Sequence, residues 1–148
     1  MPYEPPNASF ADEVRRSFAA QSIMNLIGAR LTLIEPGVIE ITLPYRRDLT
    51  QQNSYLHAGA VSTIADSACG YAAYTLMPAG AEVLTVEFKL NLLRPAVGDY
   101  FRARAEVIKP GRTLTVARAD VFGVTGEGPT AKQELIAAMQ ATVMCLQK

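Results

Sequence analysis

The chain has 148 residues, 49% hydrophobic and 19% charged, a balance that excludes a disordered segment and supplies enough apolar mass for one core. Lysine plus arginine equal aspartate plus glutamate at 14 each, so the basic excess that nucleic-acid phosphates call for is missing. One histidine, His57, and two distant cysteines, Cys69 and Cys145, leave neither a histidine metal cluster nor a CxxC site, and neither metal nor cofactor is expected.

Pro2 to Pro6 reads as a short extended lead-in without the basic and apolar regions of a signal peptide. Ser9, with Asp12 and Glu13 close behind, predicts a capped helix start. Phe10, Val14, Phe18 and Ile23 give that helix one apolar side. Leu31 and Leu33 alternate with polar neighbours, Glu35-Pro36-Gly37 turns the chain, and Val38 to Leu43 alternates again, which predicts a β-hairpin.

The middle differs in kind. From Leu49 to Ala81, 33 residues, Asp66 is the only formal charge. Ala58 to Met77 can form a helix about 30 Å long at 1.5 Å per residue, ending at Pro78-Ala79-Gly80. Val61, Ile64, Ala65, Ala68, Ala72 and Leu76 make its apolar stripe, and small residues crowd the other faces, which suits close packing inside a curved sheet. A membrane span has the right length, but large aliphatics are sparse and a mid-span aspartate is expensive. Four alternating runs follow: Leu84 to Leu92, Phe101 to Val107, Thr113 to Phe122 and Leu135 to Leu146. The order predicts an α+β fold with an antiparallel sheet around a long helix. We expect one domain over 1–148, with 1–28 an N-terminal extension and helix.

The chemistry concentrates around the start of the long helix. If it begins near Ala58, the N–H groups of Ala58 and Gly59 are unpaired donors at the positive end of the helix dipole. Such donors polarise a carbonyl and hold a developing oxyanion. Asp66 lies two turns deeper, with Ser62, Thr63, Cys69, Gly70 and Ala73 on its side. A poorly solvated carboxylate there suits a base or a nucleophile. Each residue also has a plain structural role. His57 is an ordinary helix cap or turn residue, Asp66 pairs with Arg94, Arg102 or Arg104, Thr85 is a common strand residue, and Cys69 fills core space.

His57-Ala58-Gly59 with Asp66 nine residues after the histidine resembles the core motif of hotdog-fold acyl-CoA thioesterases of the phenylacetate-degradation (PaaI) type. The similarity continues through Leu84-Thr85-Val86-Glu87-Phe88, Leu93-Arg94-Pro95-Ala96, Gly98-Asp99 and Lys109-Pro110-Gly111-Arg112-Thr113, in the family's order. The resemblance implies a hotdog fold, a long helix wrapped by a curved antiparallel sheet, joined into homodimers and commonly homotetramers. It implies that Asp66 is the base or nucleophile and that Gln51 is the amide ordering water or thioester. Ala58 takes the place of the glycine whose N–H polarises the carbonyl, and Thr85 faces Asp66 across the dimer. Asn53 is a second amide able to replace Gln51; Gly59 adjoins the substrate; Asn91, Lys109 and Arg112 fall where CoA is touched. His57 shapes the loop or donates toward substrate.

The expected activity is hydrolysis of an aryl- or medium-chain acyl-CoA in the cytoplasm, with no nucleic-acid or membrane partner. Coenzyme A is there part of the substrate rather than a cofactor. Two alternatives share the fold: a non-catalytic acyl-CoA sensor, which has no need of Asp66, and an acyl-thioester dehydratase or hydratase, whose histidine–carboxylate spacing differs from this one.

Overall fold

The computed structural model describes residues 3–147; Met1, the Pro2 end of the lead-in and Lys148 lie outside the described residues. The elements are α1 (Phe10–Ala20), α2 (Ser22–Ile27), β1 (Arg30–Glu35), β2 (Val38–Pro44), α3 (Ala58–Tyr74), β3 (Glu82–Leu92), β4 (Tyr100–Lys109), β5 (Leu114–Thr125) and β6 (Lys132–Leu146). All strand pairings are antiparallel, in the order β1-β2-β4-β5-β6-β3.

The N-terminal helix is broken where one continuous helix is predicted. Gln21 stands between α1 and α2 with extended backbone at φ −73° and ψ 105°. Its side chain reaches the Tyr71 hydroxyl at 2.9 Å and accepts from Ser67 at 3.3 Å, so tertiary bonds hold the joint open. The break resets the helical phase. Val14 and Phe18 stay buried and Met24 and Ile27 join them, while Ile23, expected on the apolar side, is 48% exposed. Ser9 does occupy the N-cap position, but its side chain makes no capping bond.

α3 lies on the concave face of the sheet. Val61, Ile64, Ala65, Ala68 and Ala72 are buried, and the strands meet them with Ala103, Ala105, Ala117, Ala119, Ala137 and Ala141. Small side chains on both layers bring helix and sheet close, as interior packing density demands. The helix ends at Tyr74, three residues before the predicted end at Met77. Buried Thr75 explains the early stop: its hydroxyl donates to Ala72 O and accepts from Gly37 N–H, both at 2.7 Å. That hydroxyl pins the helix terminus to the β1–β2 turn. Gly37 itself has φ +77°, the left-handed conformation that favours glycine, and a Cβ there would sit 2.6 Å from the Tyr3 ring and displace it.

Among the described residues β3 is an open edge of the sheet, paired only with β6. Leu84, Val86, Phe88 and Leu92 along it are 56%, 53%, 44% and 56% exposed. No helix among the described residues is long and apolar enough to cross a membrane.

Candidate active site

The loop before α3 is tied down at both ends. Leu56 N–H donates to Ala96 O at 3.1 Å and His57 N–H to Leu49 O at 2.9 Å. His57 is the N-cap of α3, with φ −62° and ψ 140°. Its Nδ1 accepts the Gly59 N–H at 2.7 Å, so the histidine takes its plain structural role as a cap. The same bond corrects an expectation: Gly59 N–H is already engaged, and only Ala58 N–H, at the first helical position, is left without an intrahelical acceptor.

Ala58 opens on a cleft of about 420 Å³ that Gln51, Val61, Leu92, Arg94 and Ile136 also line. The Gln51 side-chain oxygen accepts the Asn53 N–H. That bond orients the amide and leaves its NH₂ group free to donate. Asn53 is exposed and does not line this cleft. The two candidate amides are therefore distinct in position, one in the cleft and one outside it.

Asp66 is half-buried and faces a second cleft, of about 400 Å³, between α3 and β3. Thr85 Oγ1 donates to its Oδ1 at 2.7 Å. This contact lies within one chain and not across a dimer, because β3, paired to β6, runs alongside the middle of α3. The arginine pairings foreseen for Asp66 do not form. Arg94 donates to Leu135 O, Arg104 to Glu40, and Arg102 to Gln133 while stacking over Phe122. A carboxylate with one oxygen fixed by a hydroxyl and the other turned to a cleft can hold and deprotonate a water.

Cys69, one turn from Asp66, is fully buried, and its thiol is pushed up to about 12, first by burial and second by the negative charge of Asp66. The shift favours the protonated form, so thiolate is scarce at neutral pH and the residue is core filling. Iodoacetamide at pH 8 is expected to leave Cys69 unmodified in the folded protein and to label it after denaturation. Rapid labelling of native protein, read by mass spectrometry, is the contrary result.

The remaining expected residues sit elsewhere. Asn91 pairs in register with Ala138 and lines a separate depression on the outer face of the sheet with Glu87, Lys89, Arg118 and Asp120. Lys109 ends β4, and Arg112 lies in the turn to β5; both are exposed, and neither lines the Gln51 or the Asp66 cleft. Sequence reasoning missed Gln21, Ser67 and Tyr71 at the Asp66 cleft. Gln21 belongs to no motif, and only the helix break exposes its function as a joint. Arg94, expected as a partner for Asp66, lines the Gln51 cleft instead.

A long helix cupped by six antiparallel strands, with a carboxylate at mid-helix and a free N–H at its start, defines a hotdog-fold thiolester hydrolase. The thioesterase superfamily profile matches residues 53–129. A thioesterase family protein from Silicibacter pomeroyi has a structure that superposes with a TM-score of 0.89 at 52% identity, covering 94% of this chain and 99% of that one. A Saccharolobus solfataricus protein with a provisional esterase name is 31% identical over 74% of this chain and 73% of its own length. The PaaI protein of the E. coli phenylacetic acid degradation operon shares the fold at a TM-score of 0.81 and 16% identity, covering 96% of each chain. The chain belongs to the thioesterase superfamily, and the reaction class is hydrolysis of a thioester.

Proposed function

We propose that the protein hydrolyses acyl-CoA thioesters as a homodimer, each active site drawing on both chains. One observation carries the reading: Ala58 and Asp66 are about 12 Å apart along α3 at 1.5 Å per residue, each on its own cleft. A single carbonyl cannot touch both within one chain. The Asp66 cleft reaches Val83, Leu84 and Thr85 at one end of β3, and the Ala58 cleft reaches Leu92 at the other. Two copies joined antiparallel along their open β3 edges about a two-fold axis exchange those ends. The Asp66 cleft of each chain then meets the Ala58 cleft of its neighbour, and the exposed apolar edge is covered.

In that arrangement Ala58 N–H and the Gln51 NH₂ group donate to the thioester oxygen. Asp66 of the partner subunit, steadied by Thr85, takes a proton from water as the water oxygen bonds to the carbonyl carbon. The tetrahedral oxyanion collapses and the carbon–sulfur bond breaks. The departing thiolate recovers the proton from Asp66, leaving a free acid and CoA. No step calls on a metal or cofactor. Arg94 sets a cation in the cleft that receives the thioester, where it suits an anionic substrate. The free, buried Cys69 and Cys145 suit a reducing, cytoplasm-like compartment.

The test is release of free thiol from a panel of linear, aryl-acetyl and benzoyl CoA thioesters, run with excess chelator. Thiol release that is indifferent to chelation is expected. Enoyl hydration without thiol release, binding without turnover, or activity restored only by added Zn²⁺ or Mg²⁺ each overturn the reading.

A further inference from the structure

The Asp66 cleft continues past the carboxylate along α3 to the α1–α2 joint, a part of the chain outside the stretch that the family profile covers. Two features shape this continuation. Gly70, four residues after Asp66, lines it, and a Cβ built there meets nothing within 4 Å. In a helix interior alanine is the better helix former, so neither crowding nor local propensity accounts for this glycine; what it preserves is open space. At the far end stands Gln21. Its amide donates one hydrogen to the Tyr71 hydroxyl at 2.9 Å, and its oxygen accepts from Ser67 at 3.3 Å. Tyr71 shares a further bond with Ser17 at 3.1 Å. The second amide hydrogen of Gln21 has no protein acceptor among the described residues. Val83 lines the cleft from β3 and Ile23 from α2.

We propose that this continuation receives the acyl group, with Gly70 setting the bulk it admits and Gln21 reading an oxygen at its far end. The inference rests on the thioesterase reading above. Gln21 bonds to Ser67 and Tyr71, one and five residues past Asp66, a stretch of about 2–8 Å along the helix axis, so the class favoured is an acyl chain with a hydrogen-bond-accepting oxygen a few bonds beyond the thioester carbon. A keto group on the δ carbon of a hexanoyl chain meets the description.

The experiment compares δ-ketohexanoyl-CoA with δ-methylhexanoyl-CoA, in which a methyl replaces the ketone oxygen, and hexanoyl-CoA with acetyl-CoA. For the wild type, kcat/KM is expected to favour the ketone by about 3–10-fold, the effect of one neutral hydrogen bond. Gln21→Leu removes that preference. Gly70→Val lowers the hexanoyl-to-acetyl ratio by at least 10-fold, and Gly70→Ala lowers it less while raising the melting temperature. Melting curves on every variant separate a lost fold from a changed preference. A wild type indifferent to the ketone overturns the assignment of Gln21, and unchanged chain-length ratios in a folded Gly70 variant overturn that of the lane. A folded Gln21→Leu protein that weakens turnover of all substrates alike makes the residue a structural joint and overturns its reading role. Wild-type protein that releases no thiol from any substrate refutes the thioesterase reading itself, and this inference with it.

Discussion

With Asp66 as the proposed base, Asp66→Asn is expected to lower kcat by about 10²–10⁴-fold, the usual effect of removing a general base, and to change KM far less. The amide keeps the shape of the carboxylate and can still accept the Thr85 hydroxyl hydrogen that now reaches Oδ1 at 2.7 Å. What it loses is the capacity to take a proton from water. The fold survives, because Asp66 is half-buried and has no arginine whose charge its removal would strand. Melting temperature and kcat measured on one preparation separate chemistry from scaffolding. An early-melting variant with normal turnover per folded molecule would make the carboxylate structural. Thr85→Val serves as a milder companion, since it leaves the base in place and removes only its anchor.

Ala58→Pro deletes the proposed oxyanion donor with little disturbance to the helix. Proline is well tolerated at the first helical position, where its missing N–H had no intrahelical partner. It also requires extended backbone in the residue before it, and His57 already has ψ 140°. Loss of one such donor is expected to lower kcat by about 10²–10³-fold. The shared-site geometry then makes a sharper demand on mixtures. Asp66→Asn and Ala58→Pro homodimers are each impaired at both sites, but a mixed dimer keeps one intact Asp66 facing one intact Ala58. Unfolding the two variants together and refolding them is expected to restore about a quarter of wild-type activity, because half of randomly paired dimers are mixed. A site contained within one chain gives no restoration. That outcome would discard the exchange of half-sites between subunits.

Much of the scaffold was readable from periodicity alone, and the reasons are physical. β2 to β6 alternate because one face of each meets α3 and the other does not, and β1 alternates against α1, so the period of two survives in the sequence. The start of α3 follows from His57 and the small residues after it. Its end does not, because Thr75 stops the helix through a bond to Gly37, 38 residues away in sequence. The α1–α2 break was hidden for the same reason: Gln21 is held by Ser67 and Tyr71, and no local signal marks it. At the site, Asp66 stood out as the one charge in an apolar helix, whereas Gln51, in a polar run, was picked out only by the resemblance and its spacing to His57. The engagement of Gly59 N–H by the histidine ring was not legible, since it depends on a rotamer. Nor was the contact of Thr85 with the carboxylate of its own chain, which depends on how β3 lies against the helix.

If β3 is the dimer edge proposed above, it carries a consequence for the life of the chain before pairing. From Leu84 to Leu92 the outward backbone groups of β3 form an open margin, flanked by Leu84, Val86, Phe88 and Leu92. Such a margin accepts any strand that offers itself. The formal net charge is zero, so mutual repulsion gives newly made chains little protection from one another. Correct pairing is second order in protein, and so is mispairing, so raising the concentration does not by itself favour the right product. What favours it is complementarity: the apolar side chains at one end of β3 meet those at the other end of the copy, with Glu87 and Lys89 interrupting the strand against foreign partners. Under the proposed pairing, yield in a cell is set during a short interval after synthesis, by how quickly two edges of the same kind find each other.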